Sequence, residues 1–475
     1  MRLLFIIPII TILFSCTPEG KKEPQYPNII FILADDMGYG DPKCFNPDSK
    51  IETPNIDRLA AEGMRFVNAH SPGSWCTPSR YGLLTGLYPF RADLNRMKAH
   101  SLIDDDQLTI GKVLQAKGYE TACVGKWHLG FEEVESLDYS KPIVDGPIDR
   151  GFDYFFGMYT SLDIPPYFYI ENDSVLAAPT DSVERKNTEG WTSVQGEFWR
   201  KGGIAPGLKH ADVLPTFTEK ALGFIKRHHE KAPKQPFFLY FPLPAPHTPW
   251  LPDENFAGTS AAGLYGDFAS MTDYQIGRIL NLLDSLELTG NTLVMFSSDN
   301  GPVWFEQDKK KFGHLSMAHF RGQKADSWEG SNHMPFIVRW PGTVASQSVS
   351  EETICFTDML ATFSALVGDT LDDRYAKDSY NLLPVLKGQP YESPLREATV
   401  IMSNVIHQGD WKLILGNGYG GLSRFNQYDE VLPDHGDSLG LYNLKDDPSE
   451  YHNVAEAHPE IVERMKALLE AYKAR

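Results

Sequence analysis

Short apolar runs alternate with amphipathic segments along most of the chain. Residues 28–34 are uninterruptedly apolar after Asn28, which is typical of a strand buried on both faces of a mainly parallel sheet. Further runs predict strands at 64–70, 119–124, 236–241, 291–298 and 336–340. Helical periodicity occurs at 53–62, where Thr53 stands at the cap position, and at 108–117, 216–230, 271–286 and 357–366.

This alternation predicts an α/β fold with a large central, mostly parallel mixed sheet between helices. Residues 131–210 interrupt the alternation, and we expect a long excursion over one edge of the sheet. Later segments predict short antiparallel strands at 398–402, 411–415 and 441–444, and a helix at 459–472. We therefore expect a main domain over 28–390 and a smaller C-terminal α+β subdomain, an antiparallel sheet plus a helix, over 391–475.

The N-terminal segment is typical of an export signal. Arg2 precedes an apolar run that ends at Phe14 and is too short to span a membrane comfortably. The run leads into Cys16 in a pattern that resembles a bacterial lipobox, although Phe14 is bulky for that position and secretion with cleavage elsewhere stays open. We expect residues 1–16 to be a lipoprotein signal and residues 17–27 a tether. The protein would be exported to the periplasm or the outer surface of a bacterium, with its membrane attachment through lipid on Cys16.

Charge and cysteine content narrow the class of protein. The chain has 475 residues and a net charge of −19. Its 42% of hydrophobic and 23% of charged residues are typical of soluble globular proteins. Because it is so acidic, no nucleic-acid partner is expected. Five cysteines do not make a disulfide scaffold. If Cys16 and Cys76 are modified, then Cys44, Cys123 and Cys355 can form one disulfide at most, and free thiols fit equally well.

Carboxylate and amide side chains stand at the carboxyl ends of two predicted strands. Asp35 and Asp36 follow the first strand, and Asp299 and Asn300 follow the strand at 291–298. Ligands of open α/β sheets bind at this edge, and adjacent carboxylates repel each other unless a cation lies near them. Oxygen ligands favour Ca²⁺ or Mg²⁺ over Zn²⁺, so the sequence predicts a divalent-cation site. A solvated acidic loop and an Asn-Gly turn are the structural alternatives.

The pentapeptide Cys76-Thr77-Pro78-Ser79-Arg80 adds candidate chemistry. Taken alone it predicts a turn in which Ser79 caps a helix that begins near Arg80. With the carboxylate pairs, it resembles the core element of the type I, formylglycine-dependent sulfatase family of the alkaline-phosphatase-like superfamily. The segments Gly-Lys-Trp-His-Leu-Gly at 125–130, Pro-His-Thr-Pro at 246–249 and Trp-Glu-Gly at 328–330 resemble further elements of that family, in the same order.

The resemblance implies a mechanism. A formylglycine-generating enzyme would oxidise Cys76, and the hydrated formylglycine would attack the sulfur of a sulfate monoester to give a covalent sulfated hemiacetal. His247, with Lys324, would protonate the departing alcohol, and His128 would remove the proton that lets sulfate leave. Arg80 and Lys126 would neutralise the sulfate oxygens together with Lys324 and the metal. The metal implied is a single Ca²⁺, with the ligands Asp35, Asp36, Cys76, Asp299 and Asn300.

One segment departs from the family pattern, and the substrate stays open. Where the family commonly has E-G-G-x-R-x-P, this chain has Ser331 in place of the second Gly and His333 in place of Arg. Packing behind Lys324 or contacts to substrate are therefore expected to differ. A sulfated sugar or oligosaccharide is the expected substrate. The alternatives are a phosphate or phosphonate monoester hydrolase of the same superfamily and a non-catalytic glycan-binding lipoprotein. The aromatic residues at 154–156 and 167–169 could stack on sugar rings, although core positions explain them better.

Overall fold

A computed structural model describes residues 26–98, 100–132, 137–372, 374–375, 377–416, 421–425 and 439–475. The predicted signal segment, with Cys16, and most of the predicted tether lie outside these ranges. Within them, no helix is both long and apolar enough to cross a lipid bilayer.

Strands and helices alternate along most of the described chain. The strands are β1 Asn28–Asp35, β2 Met64–Phe66, β3 Ala69–His70, β4 Glu120–Lys126, β5 Tyr154–Met158, β6 Ile170–Glu171, β7 Ser174–Val175, β8 Asp181–Val183, β9 Gly202–Ile204, β10 Phe237–Pro246, β11 Thr292–Ser298, β12 Phe336–Arg339, β13 Ser348–Ser350, β14 Ile354–Cys355, β15 Thr399–Ile401, β16 Val405–Gln408, β17 Trp411–Leu415 and β18 Leu439–Asn443. The α-helices are α1 Pro54–Ala61, α2 Cys76–Thr85, α3 Ile110–Ala116, α4 Val213–Lys231, α5 Gly263–Ser285, α6 Glu306–Phe312, α7 Glu329–Asn332, α8 Asp358–Leu366, α9 Leu383–Leu386 and α10 Pro459–Ala474.

The large sheet has the strand order β13-β2-β12-β11-β1-β10-β4-β5-β6-β7. The central strands β11, β1, β10, β4 and β5 are parallel, whereas β12 is antiparallel to β11 and β6 to β5. The predicted α/β fold with a mostly parallel mixed sheet is therefore confirmed. Because β1 is central, the carboxyl ends of β11, β1, β10 and β4 lie side by side at one edge.

The apolar run of β1 is buried on both faces, as its uniform hydrophobicity predicts. Ile29, Phe31 and Leu33 belong to the core that packs against α2, α3 and α8. Ile30 and Ile32 point the other way, into the core with α1, α4 and α5. A strand with no solvated face needs no polar alternation.

The C-terminal region forms its own antiparallel sheet in the order β15-β16-β17-β18. Its core combines Val400 and Leu413 of the sheet with Val462, Met465 and Leu469 of α10. The smaller α+β unit predicted from the sequence is therefore confirmed, although β16 was not predicted. The domain boundaries at 28–390 and 391–475 stay predictions.

Two strand predictions need correction. Residues 131–210 do not merely pass over the sheet edge, because β5, β6 and β7 extend the sheet itself. Phe155 and Phe168 of this region are buried, so the core interpretation of these aromatics is correct. Residues 64–70 form two strands rather than one, since the chain leaves the large sheet after β2 and pairs with β14 through β3.

The start of α2 differs from the prediction, whereas α1 begins after Thr53 as predicted but without a hydrogen bond from the Thr53 side chain at the cap. Helix α2 begins at Cys76 rather than near Arg80, so Ser79 lies inside the first turn. Its hydroxyl donates to the carbonyl of Trp75 at 2.9 Å instead of capping. At α1, the Thr53 side chain makes no cap hydrogen bond. It accepts from the Lys43 backbone N–H at 3.1 Å, because the preceding loop folds back on the helix.

The four described cysteines, Cys44, Cys76, Cys123 and Cys355, are free thiols. Among the residues that the structure describes, the possible disulfide is therefore not formed.

Candidate active site

The two carboxylate pairs meet because β1 and β11 are neighbouring parallel strands. The Asp36 backbone N–H donates to Asp299 Oδ1 at 3.2 Å, and Asn300 Nδ2 donates to Asp36 Oδ1 at 2.6 Å. Asp35, Asp36, Asp299 and Asn300 are each at most 2% exposed. Asp36 has a φ of +66°, a left-handed conformation that few non-glycine residues adopt and that is concentrated at functional sites.

Cys76 lies beside these carboxylates because it is the first residue of α2. Its Sγ donates to Asp35 Oδ1 at 3.4 Å, and Lys324 Nζ donates to Cys76 Sγ at 3.4 Å. Burial and the negative charge of Asp35 raise the pKa of the Cys76 thiol to about 12. The unmodified side chain is therefore an uncharged thiol, which is a poor nucleophile.

Three cations compensate the buried carboxylates. Lys126 Nζ donates to Asp35 Oδ2 at 2.6 Å, and Lys324 Nζ donates to Asp36 Oδ1 at 2.6 Å. Arg80 Nε donates to Asp299 Oδ2 at 2.9 Å. Three carboxylates thus face three cations, and the cluster is formally neutral despite the acidic chain.

The positive side chains stabilise the charged forms of Asp35 and Asp299 to different extents. Burial alone would raise the pKa of Asp35, but Lys126 is the largest of several positive neighbours that hold it well below its usual range. At Asp299, burial and the charge of Asp35 raise the pKa to about 7 even though Arg80 is in contact. Arg80 alone therefore does not fully compensate Asp299, and a further cation would stabilise its charged form.

Lys126 and His128 enter the site from the end of β4. A Cβ at Gly125 would lie 1.9 Å from the carbonyl oxygen of Pro242, so only glycine lets β4 approach β10 at this point. His128 follows with a φ of +58°. Burial and the charge of Lys126 hold the pKa of His128 well below its usual range, so the imidazole is neutral and can accept a proton.

His247 reaches the site from the segment after β10. Its Nδ1 lies 2.6 Å from the Thr248 carbonyl oxygen, which can only accept, so Nδ1 carries a proton. Nε2 is therefore the ring nitrogen left for other partners, and it lies 3.6 Å from Asp36 Oδ2. The imidazole of His247 thus lies between the Thr248 carbonyl and the carboxylate of Asp36.

The residues predicted as catalytic or metal-binding thus lie in one cluster, and their roles stay predictions. The structure adds one potential ligand, because atoms of Asp35, Asp36, Cys76 and His247 lie within 4.8 Å of one another in a group that could hold a metal ion. Asn300 Oδ1 is buried, and no described residue is its hydrogen-bond partner. Carboxylate and amide oxygens of this kind suit Ca²⁺.

Sequence reasoning missed the residues that hold the loop after β1. Tyr265 OH donates to Asp41 Oδ2 at 2.5 Å, and its oxygen also lies 3.1 Å from the Asp36 carbonyl oxygen. His314 Nε2 lies 2.8 Å from Asp41 Oδ1. Asp41 follows the Asp35–Asp36 pair within a few residues, but nothing in the sequence signals that it is fully buried. Its two partners come from distant segments that only the tertiary structure brings near.

Comparison with known proteins identifies the family. The sulfatase family matches residues 27–369. An N-acetylgalactosamine-6-O-sulfatase of Bacteroides thetaiotaomicron is 35% identical in an alignment 515 positions long, gaps included, which covers 100% of this chain and 99% of the relative. The human N-acetylgalactosamine-6-sulfatase is 35% identical over 387 residues, which cover 78% of this chain and 68% of the relative.

A solved structure agrees with these relatives. It comes from work on the metabolism of multiple glycosaminoglycans by Bacteroides thetaiotaomicron, and it matches with a TM-score of 0.80 at 35% identity. The match covers 95% of this chain and 100% of the solved one. A family match over most of the chain, full-length relatives and a shared fold lead to one conclusion: the protein belongs to the sulfatase family and is a sulfatase.

Proposed function

We propose that this sulfatase hydrolyses a sulfate ester on a sugar through a bound Ca²⁺ and a formylglycine made from Cys76. The observation that carries the proposal is the position of Cys76 Sγ, 3.4 Å from both Asp35 Oδ1 and Lys324 Nζ. A nucleophile here is buried among cations that can neutralise the oxygens of a sulfate group.

The high pKa of the Cys76 thiol supports its conversion. A buried thiol beside a carboxylate is mostly protonated at neutral pH, so the cysteine itself is a weak nucleophile. Formylglycine would supply a hydroxyl nucleophile when formed, and Ca²⁺ would supply positive charge to the sulfate oxygens when bound. The modification requires a formylglycine-generating enzyme as a partner.

The donor set fits calcium. Asp35, Asp36, Asp299 and Asn300 offer hard oxygens from two neighbouring strand ends, and Asn300 Oδ1 is a buried acceptor whose partner is not among the described residues. The pocket itself is formally neutral, so a divalent cation gives it a net positive charge. That charge suits an anionic ester, although the protein as a whole is acidic.

The other side chains of the site are proposed to bind the sulfate group and to transfer protons. Arg80, Lys126 and Lys324, which contact the carboxylates near position 76, bind and orient the sulfate oxygens. His247 Nε2, with Nδ1 fixed by the Thr248 carbonyl, protonates the leaving oxygen of the sugar. His128, neutral because of burial and the charge of Lys126, accepts the proton lost at position 76.

For the sugar, we propose a 6-O-sulfated N-acetylgalactosamine unit. The support comes from the two relatives named for this activity, each 35% identical to this chain. We also propose that the protein is an exported lipoprotein, with residues 1–16 as its signal and lipid on Cys16. This proposal rests on the apolar run and the lipobox-like end of that segment.

The test combines peptide mass with a substrate panel. The protein is produced with a formylglycine-generating enzyme, and the mass of the peptide that contains residue 76 reports conversion. Sulfate release is then measured on N-acetylgalactosamine sulfated at O6 or O4 and on a phosphate monoester. We expect a converted residue 76 and the fastest turnover on the 6-sulfate.

Cys76→Ala should lower turnover by at least about 10⁴-fold, because it removes the nucleophile. Cys355→Ala, which removes a distant buried thiol, is the matched control and should keep full activity. Substantial activity in Cys76→Ala, or faster release of phosphate than of sulfate, would contradict the proposal. Glycan binding without hydrolysis by the converted protein would favour the binding-lipoprotein alternative.

A further inference from the structure

A second buried cluster of titratable side chains lies outside the active site. Glu329, the first residue of α7, is surrounded by three imidazoles and a lysine. The members, here called the Glu329 cluster, are His70, Glu329, His333, His407, Lys412 and Glu450, and each is at most 5% exposed. It joins the main domain to the C-terminal sheet, because His407 lies on β16 and Lys412 on β17.

The two oxygens of Glu329 have different surroundings. Oε1 lies 3.0 Å from Lys412 Nζ and 3.1 Å from His407 Nε2. Oε2 lies 3.1 Å from His70 Nε2 and 2.8 Å from His333 Nδ1. A permanent cation is thus in contact with Oε1, whereas Oε2 meets only imidazole nitrogens among the described residues.

The hydrogen bond on the far side of His333 restricts its protonation. His333 Nε2 lies 2.8 Å from the Val67 carbonyl oxygen, which can only accept, so Nε2 carries a proton. In a neutral ring, Nδ1 then directs a lone pair at Glu329 Oε2. Two acceptors 2.8 Å apart repel each other, so a cation must hold them together: a proton on the line between the two atoms, or a metal ion to one side in contact with both.

The charge balance of the Glu329 cluster also allows a further cation to bind. Glu329 and Glu450 share one ammonium, since Lys412 Nζ is 2.6 Å from Glu450 Oε1. His70 Nε2 lies 3.1 Å from Glu329 Oε2, so this imidazole nitrogen is placed where it can act as a ligand. Two buried carboxylates share one lysine, and burial together with the charge of Glu329 raises the pKa of Glu450 to about 7, so a proton on Glu450 or another bound cation completes the charge balance.

We propose that His70 Nε2, His333 Nδ1 and Glu329 Oε2 bind a Zn²⁺ ion. The three ligand atoms lie within 4.8 Å of one another, and two imidazoles with one carboxylate form a known zinc ligand set that keeps a fourth position open. The bond from His333 Nε2–H to the Val67 carbonyl is the outer contact that commonly orients a metal-binding histidine. Glu329, His333 and His407 line a cavity of about 420 Å³, which offers space for a water ligand.

This site differs from the predicted calcium site in its chemistry. Nitrogen ligands select Zn²⁺ over Ca²⁺, whereas the strand-end site offers mainly oxygen ligands. His333 also stands where sulfatases commonly have Arg, and a guanidinium cannot bind a metal. The proposed site therefore depends on the position at which this chain departs from the family pattern.

The proposed ion would act on the junction between the two parts of the fold. The Glu329 backbone N–H donates to Glu450 Oε2 at 2.7 Å, so an ion on Glu329 is linked to the C-terminal segment. Zinc that binds only the folded protein raises its melting temperature by mass action. The inference does not depend on the sulfatase reaction, and its failure would leave the proposed function untouched.

The test measures zinc binding in excess Ca²⁺, which keeps the strand-end site filled. Metal-stripped protein is titrated with Zn²⁺ by calorimetry, and Co²⁺ is added to a second sample for its visible d–d spectrum. We expect one Zn²⁺ per chain, a zinc-dependent rise in melting temperature and a Co²⁺ spectrum of nitrogen coordination. His333→Arg places a positive charge opposite Glu329 but should weaken zinc binding by more than about 100-fold, because it removes a direct ligand.

His319→Gln changes a nearby exposed histidine and is the matched control, with unchanged zinc binding expected. Unaltered stabilisation by Ca²⁺ would verify that His333→Arg is folded, and His70→Gln serves as the second ligand variant. Equal zinc binding by the wild type and both ligand variants would overturn the proposal, as would no binding by the wild type. In either case a proton on His333, and not a metal ion, lies between His333 and Glu329.

Discussion

The active site and the Glu329 cluster are two buried, charged regions that follow each other closely in sequence, at Lys324 and Glu329. In the active site, each of three carboxylates contacts a lysine or arginine. In the Glu329 cluster, two carboxylates share Lys412 and are otherwise surrounded by imidazoles. Both regions are largely buried, so burial of charge does not by itself distinguish a catalytic site.

The difference lies in what the charges surround. The carboxylates of the active site enclose Cys76, and the side chains of His247 and Lys324 retain some exposure, at 9% and 13%. The Glu329 cluster contains neither cysteine nor serine among its members. Oxygen donors around a nucleophile favour ester hydrolysis, whereas nitrogen donors around a carboxylate favour a structural cation. The comparison predicts that removal of a buried lysine lowers turnover in the active site but not in the Glu329 cluster.

The largest contrast is expected between Lys126→Met and Lys412→Met. Each change leaves a buried carboxylate without its ammonium, so each should lower the free energy of unfolding by about 3–5 kcal/mol. Lys126→Met should also lower kcat by at least about 100- to 1,000-fold, because Lys126 is proposed to stabilise charge on sulfate. Calorimetry and kcat, both measured at low temperature where each variant is folded, check this. An equally large loss of kcat in folded Lys412→Met would break the comparison.

A smaller contrast separates the two active-site histidines. His247→Ala should lower turnover of a sugar sulfate by about 100- to 10,000-fold and that of nitrophenyl sulfate only slightly, since a good leaving group needs no proton. His128→Ala should slow both substrates alike. Burial and the charge of Lys126 keep the pKa of His128 low, so its neutral form persists on mild acidification. In the pH profile of wild-type turnover, protonation of His128 should therefore not cause a loss of activity at the pH where an ordinary histidine titrates. Equal losses on both substrates in His247→Ala would leave Lys324 as the acid.

The smallest expected effect is the change in the free energy of unfolding when Ca²⁺ binds. At a Ca²⁺ concentration 100 times its Kd, binding should raise the free energy of unfolding by about 2.7 kcal/mol, and chelation should remove this increment together with turnover. Asn300→Ala removes a buried oxygen while leaving the Arg80–Asp299 pair intact, so it should shift the calcium dependence to higher concentration. Asn404→Ala, at an amide in the C-terminal sheet region, is the control. Full activity after exhaustive chelation would contradict the calcium proposal.

The sequence by itself determined the features that depend on local pattern. An apolar run without polar alternation predicted β1 in the middle of a parallel sheet, because only a strand covered on both faces can be apolar throughout. The position of Asp35 and Asp299 just after two such strands predicted their meeting, since parallel strands end at the same edge. Local order and spacing also carried the resemblance of Cys76 and its neighbours to sulfatases.

Only the tertiary structure decided the contacts between segments that are far apart in sequence. The burial of Asp41 depends on Tyr265 and His314, and the start of α2 at Cys76 depends on the chain that packs around it. The role of His333 was undecided by sequence, because an imidazole is a ligand, a cation or a packed ring according to what faces its two nitrogens. Val67 on one side and Glu329 on the other are brought there by the sheet and by α7, and no local pattern encodes that pairing.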